Sequence, residues 1–356
     1  MDPLTHTLVG ANLSSTALGR KTRLAAAALV IGANLPDVDS VLYFTGHSDL
    51  ALGFRRGWTH GILAIVVLPF ILTAALLLYD RLRPLAGRTA NPRWLLALSA
   101  IGVLTHPFLD WLNNYGMRWL MPFRGDWSYG DSVYIMDPLL WLVLGVGWLA
   151  GRAPTRWLVG GWLFFTVAVG WVVAQRSAAY LAIVALVSLI LLAALFWRSP
   201  RSLSAAALIV GFVYIGGRLA INAATVEKVS SIMQPEAGAI TSVMASPQPL
   251  DPTRWDVVVQ TSGGYRFGRY SWREGGLTLA PDVLPLPAPS PEWERARADP
   301  SVRGFMTWVR YPWYEIERTP ESTRVLIHDA RYATRRRPGG GFGGVVVELP
   351  RDVPPR

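Results

Sequence analysis

The sequence has no cysteine. Disulfides and thiolate metal sites are therefore excluded, and any transition metal must be held by histidine and carboxylate. Charge is scarce: 16% of the 356 residues are Asp, Glu, Lys or Arg, against about 25% in soluble domains. With 51% of its residues hydrophobic, the chain is too apolar to be one water-soluble globule. Residues 1–224 hold only nine acidic residues, namely Asp2, Asp37, Asp39, Asp49, Asp80, Asp110, Asp126, Asp131 and Asp137. Met1-Asp2-Pro3-Leu4-Thr5-His6 has no basic segment leading into an apolar core, so no cleavable signal peptide is expected.

What is present in quantity is the long apolar run. Stretches near the ~20 residues of a membrane-spanning helix occur at 24–44, 58–79, 94–114, 138–150, 157–175, 179–197 and 203–222, with a shorter helix candidate at 6–19. The net charge of +10 does not point to nucleic acid, because the basic residues sit in short loops between these runs. They are Arg20-Lys21-Thr22-Arg23, the segment from Arg81 to Arg93, Arg152 with Arg156, and Arg198 with Arg201. Threading the chain back and forth places all four on one side, the cytoplasmic side by the positive-inside rule.

From about residue 225 the pattern changes. Gln248-Pro249-Leu250-Asp251-Pro252 and Pro285-Leu286-Pro287-Ala288-Pro289 punctuate alternating runs such as Trp255–Val259 and Arg324–Ile327, which read as strands. The fold expected is mainly α: a polytopic transmembrane bundle of six or seven spans plus a short N-terminal helix, followed by a small β-rich soluble domain. Residues 1–150 would form a membrane-embedded metal-site domain, 151–224 additional spans, and 225–356 an extracytoplasmic β-rich domain. The Arg335–Gly341 run reads as a flexible basic loop.

Acids beside apolar spans need a reason, since a charge at a helix centre costs ~3 kcal/mol to insert. Asp37 and Asp39 lie in Asn34-Leu35-Pro36-Asp37-Val38-Asp39, where Pro36 breaks the helix. Such a pair can bridge metal ions or cap a turn at the interface. His106 and Asp110 are four residues apart and stack on one helical face, as ligands or as an imidazole with its acceptor. His60 opens a span beside Trp58, and His6 opens the N-terminal helix. Each is weak alone. The threading, however, carries His6, Asp37, Asp39, His60, His106 and Asp110 to the face opposite the basic loops.

Three histidines and three aspartates suit Zn²⁺ first, with Mn²⁺ or Fe²⁺ as alternatives, in one to three ions. Such a site can activate water towards a phosphoester, with Asp39 and Arg56 in catalytic roles and Arg56 stabilising developing charge. Asp131 and Asp137 are either further ligands or caps of the next span. His47 reads as a solvated loop residue and His328 as a surface residue of the β-domain.

Thr5-His6 with Gly10, Leu35-Pro36-Asp37-Val38-Asp39, Arg56-Gly57-Trp58-Thr59-His60 and His106-Pro107-Phe108-Leu109-Asp110 together resemble the YdjM-like family of membrane-bound metal-dependent hydrolases over residues 1–145. That family is similar to zinc-dependent phospholipase C and P1-type nucleases, which implies phosphoester hydrolysis at a multi-metal site in the inner membrane. The matching motifs carry over His6, Asp37, Asp39, His60, His106 and Asp110 as ligands. Arg55 stands where the family often has histidine, so no ligand is carried over there. Membrane lipids and a lipid-like phosphoester substrate are the expected partners, without nucleic acid. The competing readings are a metal-ion or proton-coupled transporter using the same cluster, and a membrane anchor that presents the β-domain.

Overall fold

A computed structural model describes residues 1–45, 48–85, 89–150, 156–175, 181–185, 187–188, 200–237, 239–319, 322–335 and 343–350. His47, Arg152, Arg198, most of the expected span 179–197 and most of the Arg335–Gly341 loop lie outside them. The chain divides into two compact units: Met1–Val38, Arg56–Asn222 and Ser246–Pro252 form the first, and Asp39–Arg55, Ala223–Ala245 and Thr253–Arg356 the second.

The first unit is helical. Its helices are α1 (Pro3–Ser15), α2 (Ala25–Gly32), α4 (Ile62–Leu82), α5 (Pro92–Trp111), α6 (Pro138–Ala150), α7 (Arg156–Ala174) and the start of α8 (Pro200–Ala237). Asp2 accepts the Thr5 N–H and caps α1, and Asn91 does the same for Trp94 at the start of α5, each helix opening on proline. Among the described residues, four helices are long and apolar enough to cross a membrane: Ile62–Leu82, Pro92–Trp111, Trp157–Ala174 and Ser202–Gln234. A fifth span is reached if α2 and the 3₁₀ segment Leu35–Thr45, bent by 47°, count as one.

The six or seven spans expected are thus not reached among the described residues. The 24–44 run breaks ahead of Pro36, which cannot donate a backbone hydrogen bond, and α6 has only 13 residues. Large apolar side chains of the long helices, such as Phe70 and Ile71 of α4 and Phe164 and Val167 of α7, are exposed and suit lipid contact.

Two end-to-end ties orient this bundle. Arg23 pairs with Asp80, and the Asn91 N–H donates to Thr22 Oγ1 at 2.7 Å. The basic loops 20–23 and 81–93 therefore share one end. α4 and α5, each about 30 Å long at 1.5 Å per residue, carry His60 and Asp110 to the opposite end.

Helix α5 sits tightly on α2. A Cβ at Gly102 would stand 2.8 Å from Leu29 O and 3.1 Å from Ala28 O. Only glycine allows this approach, which brings His106, one turn on, to the end of α2.

In the second unit, strands β1 (Ile240–Gln248), β2 (Asp251–Thr261), β3 (Gly264–Ser271) and β4 (Gly276–Leu284) form one sheet in that order. Strands β5 (Pro312–Arg318), β6 (Ser322–Asp329) and β7 (Gly344–Pro350) form a second, antiparallel sheet. Alternation along β2 gives the first sheet two buried faces. Trp255, Val257 and Val259 pack with Tyr270 on Val229 and Met233 of α8, whereas Val258 packs with Tyr265, Tyr311 and Trp313.

The strands begin later than the change of character at residue 225, because α8 continues to Ala237. Val226, Val229 and Met233, spaced for one helical face, bury against the sheet. The unit also contains α9 (Pro291–Ala298), α10 (Arg303–Trp308) and α3 (Ser48–Phe54).

A helical glycine replaced by alanine usually gains ~0.5–1 kcal/mol. Gly102→Ala is expected to do the opposite, destabilising by about 1–3 kcal/mol through overpacking against α2. Denaturant unfolding of the detergent-solubilised protein checks the sign.

Candidate metal centre

Four side chains from three separate stretches meet at the end of the bundle that carries His60 and Asp110. One ligand atom from each of Asp37, His60, His106 and Asp110 lies within 4.8 Å of the other three. His60 Nε2 and His106 Nε2 are 3.2 Å apart. Asp110 Oδ2 is 3.3 Å from the former and 3.2 Å from the latter. Asp37 Oδ1 stands 3.7 Å from each of the two nitrogens. The two histidines and Asp110 are fully buried, while Asp37 is partly exposed, its side chain 18% accessible. The site opens on the Asp37 side.

Local sequence explains each position. The i, i+4 spacing stacks His106 and Asp110 on the inner face of α5. Pro36 ends regular helix, and the 3₁₀ turn that follows presents Asp37. His60 lies in the turn before α4, pinned where Ile62 N–H donates to Trp119 O at 2.8 Å.

Protonation is set by a backbone group. His106 Nδ1 lies 2.7 Å from Ala33 O, a pure acceptor. Nδ1 must therefore carry a hydrogen, which makes Nε2 the ring nitrogen that faces the cluster and is available to a metal. This is the tautomer a metal ligand needs. Two imidazoles and two carboxylates, nearly all buried and without thiolate, fit a divalent transition ion of the zinc, manganese or iron type. At least one of two imidazole nitrogens facing each other at 3.2 Å must be bare, which the donor set of a metal site satisfies directly.

The surroundings balance the carboxylates. Arg56 Nη1 lies 3.0 Å from Asp110 Oδ2 and donates to Asp110 O at 2.9 Å. Its backbone holds φ +57, a left-handed value uncommon outside glycine. The α-amino group of Met1 also pairs with Asp110.

His6 stacks on the His106 ring at 3.8 Å and reaches Asp110 Oδ1 at 3.1 Å through Nε2. Burial, reinforced by the neighbouring His106, pushes the His6 imidazole down to about 3, so it is neutral. Its buried Nδ1 has no hydrogen-bond partner among the described residues.

Of the six ligands read from the sequence, four form the cluster and His6 adjoins it through Asp110. Asp39 is not among the four: its carboxylate lies 3.4 Å from Arg55 Nε. Asp137 accepts the Leu139 and Leu140 N–H groups and the Tyr214 hydroxyl, which makes it the cap of α6. Asp131 takes a left-handed φ of +46 and its carbonyl accepts from Asn222. Sequence reading missed the Ala33 carbonyl, because a backbone acceptor leaves no mark in residue type. It also missed Arg118, a buried arginine whose guanidinium lies over the Trp127 ring at 4.9 Å and whose N–H donates to Arg56 O at 2.9 Å.

Purified wild-type protein is expected to hold stoichiometric divalent transition metal. His60→Ala and His106→Ala should each weaken binding by about 100-fold or more, beyond the 10–100-fold typical of losing a group that only supports a ligand. Mass spectrometry of detergent-purified protein after dialysis reads this.

The sequence model described as YdjM inner membrane protein matches residues 1–179, which takes in every residue of the cluster and extends past the 1–145 stretch carrying the motifs. A relative named Uncharacterized protein YfhP, from Bacillus subtilis (strain 168), is 23% identical over 347 residues, covering 94% of this chain and 88% of the relative. No solved structure matches the chain. With half of its length matched, motifs and cluster included, the chain belongs to the YdjM inner membrane protein family.

Proposed function

We propose that the protein is an integral-membrane, metal-dependent hydrolase acting on a phosphoester of a lipid or another amphiphilic substrate. The observation that carries this reading is the Asp37–His60–His106–Asp110 cluster, four ligand-type atoms gathered within 4.8 Å inside an apolar bundle. A divalent ion there would supply Lewis acidity towards the phosphoryl group and lower the pKa of water. Asp37, His60, His106 and Asp110 would hold it. Arg56 pairs with Asp110 and adds positive charge where substrate charge develops. His6 braces the inner side of Asp110 and His106 and excludes water there.

Two features support an amphiphilic substrate. The cluster lies at one end of membrane-length helices rather than at graded depths along them, which favours chemistry at an interface over a conduction path. The segment around Met121 packs on Gly61 and leaves Leu120 and Phe123 exposed, with Trp58 exposed two residues before His60. Exposed apolar side chains of this kind suit contact with acyl or prenyl chains. On this reading the site and the C-terminal domain are extracytoplasmic, which the basic loops at the other end of the bundle support by the positive-inside rule.

Protein reconstituted with Zn²⁺ or Mn²⁺ should release phosphorylated headgroup or phosphate from lipid phosphoesters, with loss on chelation and recovery on readdition. Arg56→Gln should lower turnover by roughly 10²-fold, the scale for one electrostatic stabiliser. Metal-loaded protein that cleaves none of a panel of phospholipids and polyprenyl phosphoesters, yet moves the ion into proteoliposomes, would replace this reading with transport.

A further inference from the structure

The stretch of chain between two ligand-bearing segments folds with the C-terminal domain. Asp37 and His60 belong to the helical unit, but Asp39–Arg55 belongs to the unit built on the two sheets. Within that unit α3 lies directly against α10. The Asp49 carboxylate accepts the Gly304 N–H through Oδ2 and the Phe305 N–H through Oδ1, both at 2.8 Å. These are orphan donors of the first turn of α10, so a residue 255 positions away serves as its cap.

The seat leaves no spare room. A Cβ on Gly304 would fall 1.7 Å from Asp49 O, and one on Gly53 would fall 3.0 Å from Gly304 Cα. Phe305 and Trp308, on the same short helix, are buried at 2% and 1%.

The ends of the stretch are also joined. Asp39 and Arg55, its first and last residues, form an ion pair at 3.4 Å, and the Arg55 guanidinium lies over the Tyr43 ring at 5.5 Å. The chain therefore leaves and re-enters this segment through paired residues. Asp37 lies two residues before Asp39, while Arg56 directly follows Arg55 and His60 comes four residues later. Whatever seats the segment restricts how far the Asp37 backbone can move from the backbone of Arg56 and His60.

We propose that the C-terminal domain is a positioning element for the metal centre, with Asp49 as the positioning residue through which it acts. This rests on the metal-centre reading above. Seating of Asp39–Arg55 on α10 preorganises Asp37, Arg56 and His60, and by linkage metal binding in turn stabilises the seat. The domain thereby has a role in the membrane chemistry without contributing a ligand.

The test uses the full chain in detergent, with Zn²⁺ affinity measured by chelator competition and amide hydrogen exchange followed across residues 303–308. Asp49→Ala and Gly304→Ala should each weaken Zn²⁺ binding by about tenfold or more, the typical scale of an allosteric coupling. Asp49→Asn, which keeps one acceptor, should recover part of the loss. Zn²⁺ should slow exchange across 303–308 in the wild type and leave it unchanged in His60→Ala. Equal Zn²⁺ affinity in wild type and Asp49→Ala, with exchange at 303–308 indifferent to Zn²⁺, overturns the proposal and leaves the metal centre standing. A wild type that binds no Zn²⁺ overturns the metal centre itself, and this proposal with it. Should Gly304→Ala fail to fold, the exchange measurement on the unaltered chain decides.

Discussion

A fully buried carboxylate, Asp110, sets the terms for the rest of the helical unit. Leaving such a charge unpaired inside an apolar bundle costs about 3–5 kcal/mol even after relaxation, and every element near it is arranged to prevent that. α1 delivers His6 and the Met1 amine, the turn before α4 delivers His60 and Arg56, and α5 itself delivers His106. The bundle end is thus organised around one negative charge and the donors that offset it. A divalent cation among Asp37, His60, His106 and Asp110 would complete the balance.

Small-residue packing makes the arrangement precise. Gly102 lets α5 approach the α2 carbonyls closely, and this approach puts the Ala33 carbonyl within 2.7 Å of His106 Nδ1. Membrane helices gain little hydrophobic energy from meeting one another, so close backbone contact carries more of their association. Here the contact also fixes the tautomer of a histidine of the cluster. Fold and site chemistry therefore depend on the same few atoms.

Much of this was legible in the sequence, for reasons that can be named. His106 and Asp110 announce a shared face by their spacing. Pro36 announces the break that turns Asp37 inward, and the basic loops announce the opposite end of the bundle, which Arg23–Asp80 and Thr22–Asn91 tie together. The place of Asp39 outside the four-residue cluster was not legible, because a two-residue offset in a 3₁₀ turn can serve either a metal or a neighbouring arginine, and here its carboxylate lies 3.4 Å from Arg55 Nε. Among the described residues four or five spans are reached against the six or seven expected, because 24–44 breaks near Pro36, the helix at 138–150 is short, and most of 179–197 lies outside those residues. The docking of Ser48–Phe54 onto Arg303–Trp308 has no local signature, since its determinants, Asp49 and Gly304, lie in distant parts of the chain. Family membership, by contrast, was carried by short motifs whose order alone is distinctive.

The central claim is that Asp37, His60, His106 and Asp110 form a metal centre of two imidazoles and two carboxylates. X-ray absorption spectroscopy at the zinc edge, on the full-length protein loaded with one equivalent of Zn²⁺, tests it most directly. The account predicts a shell of nitrogen and oxygen neighbours at about 2.0–2.1 Å, with the outer-shell scattering of two imidazoles and its reduction to one in His106→Ala. A spectrum without imidazole scattering, or one unchanged in His106→Ala, would contradict it.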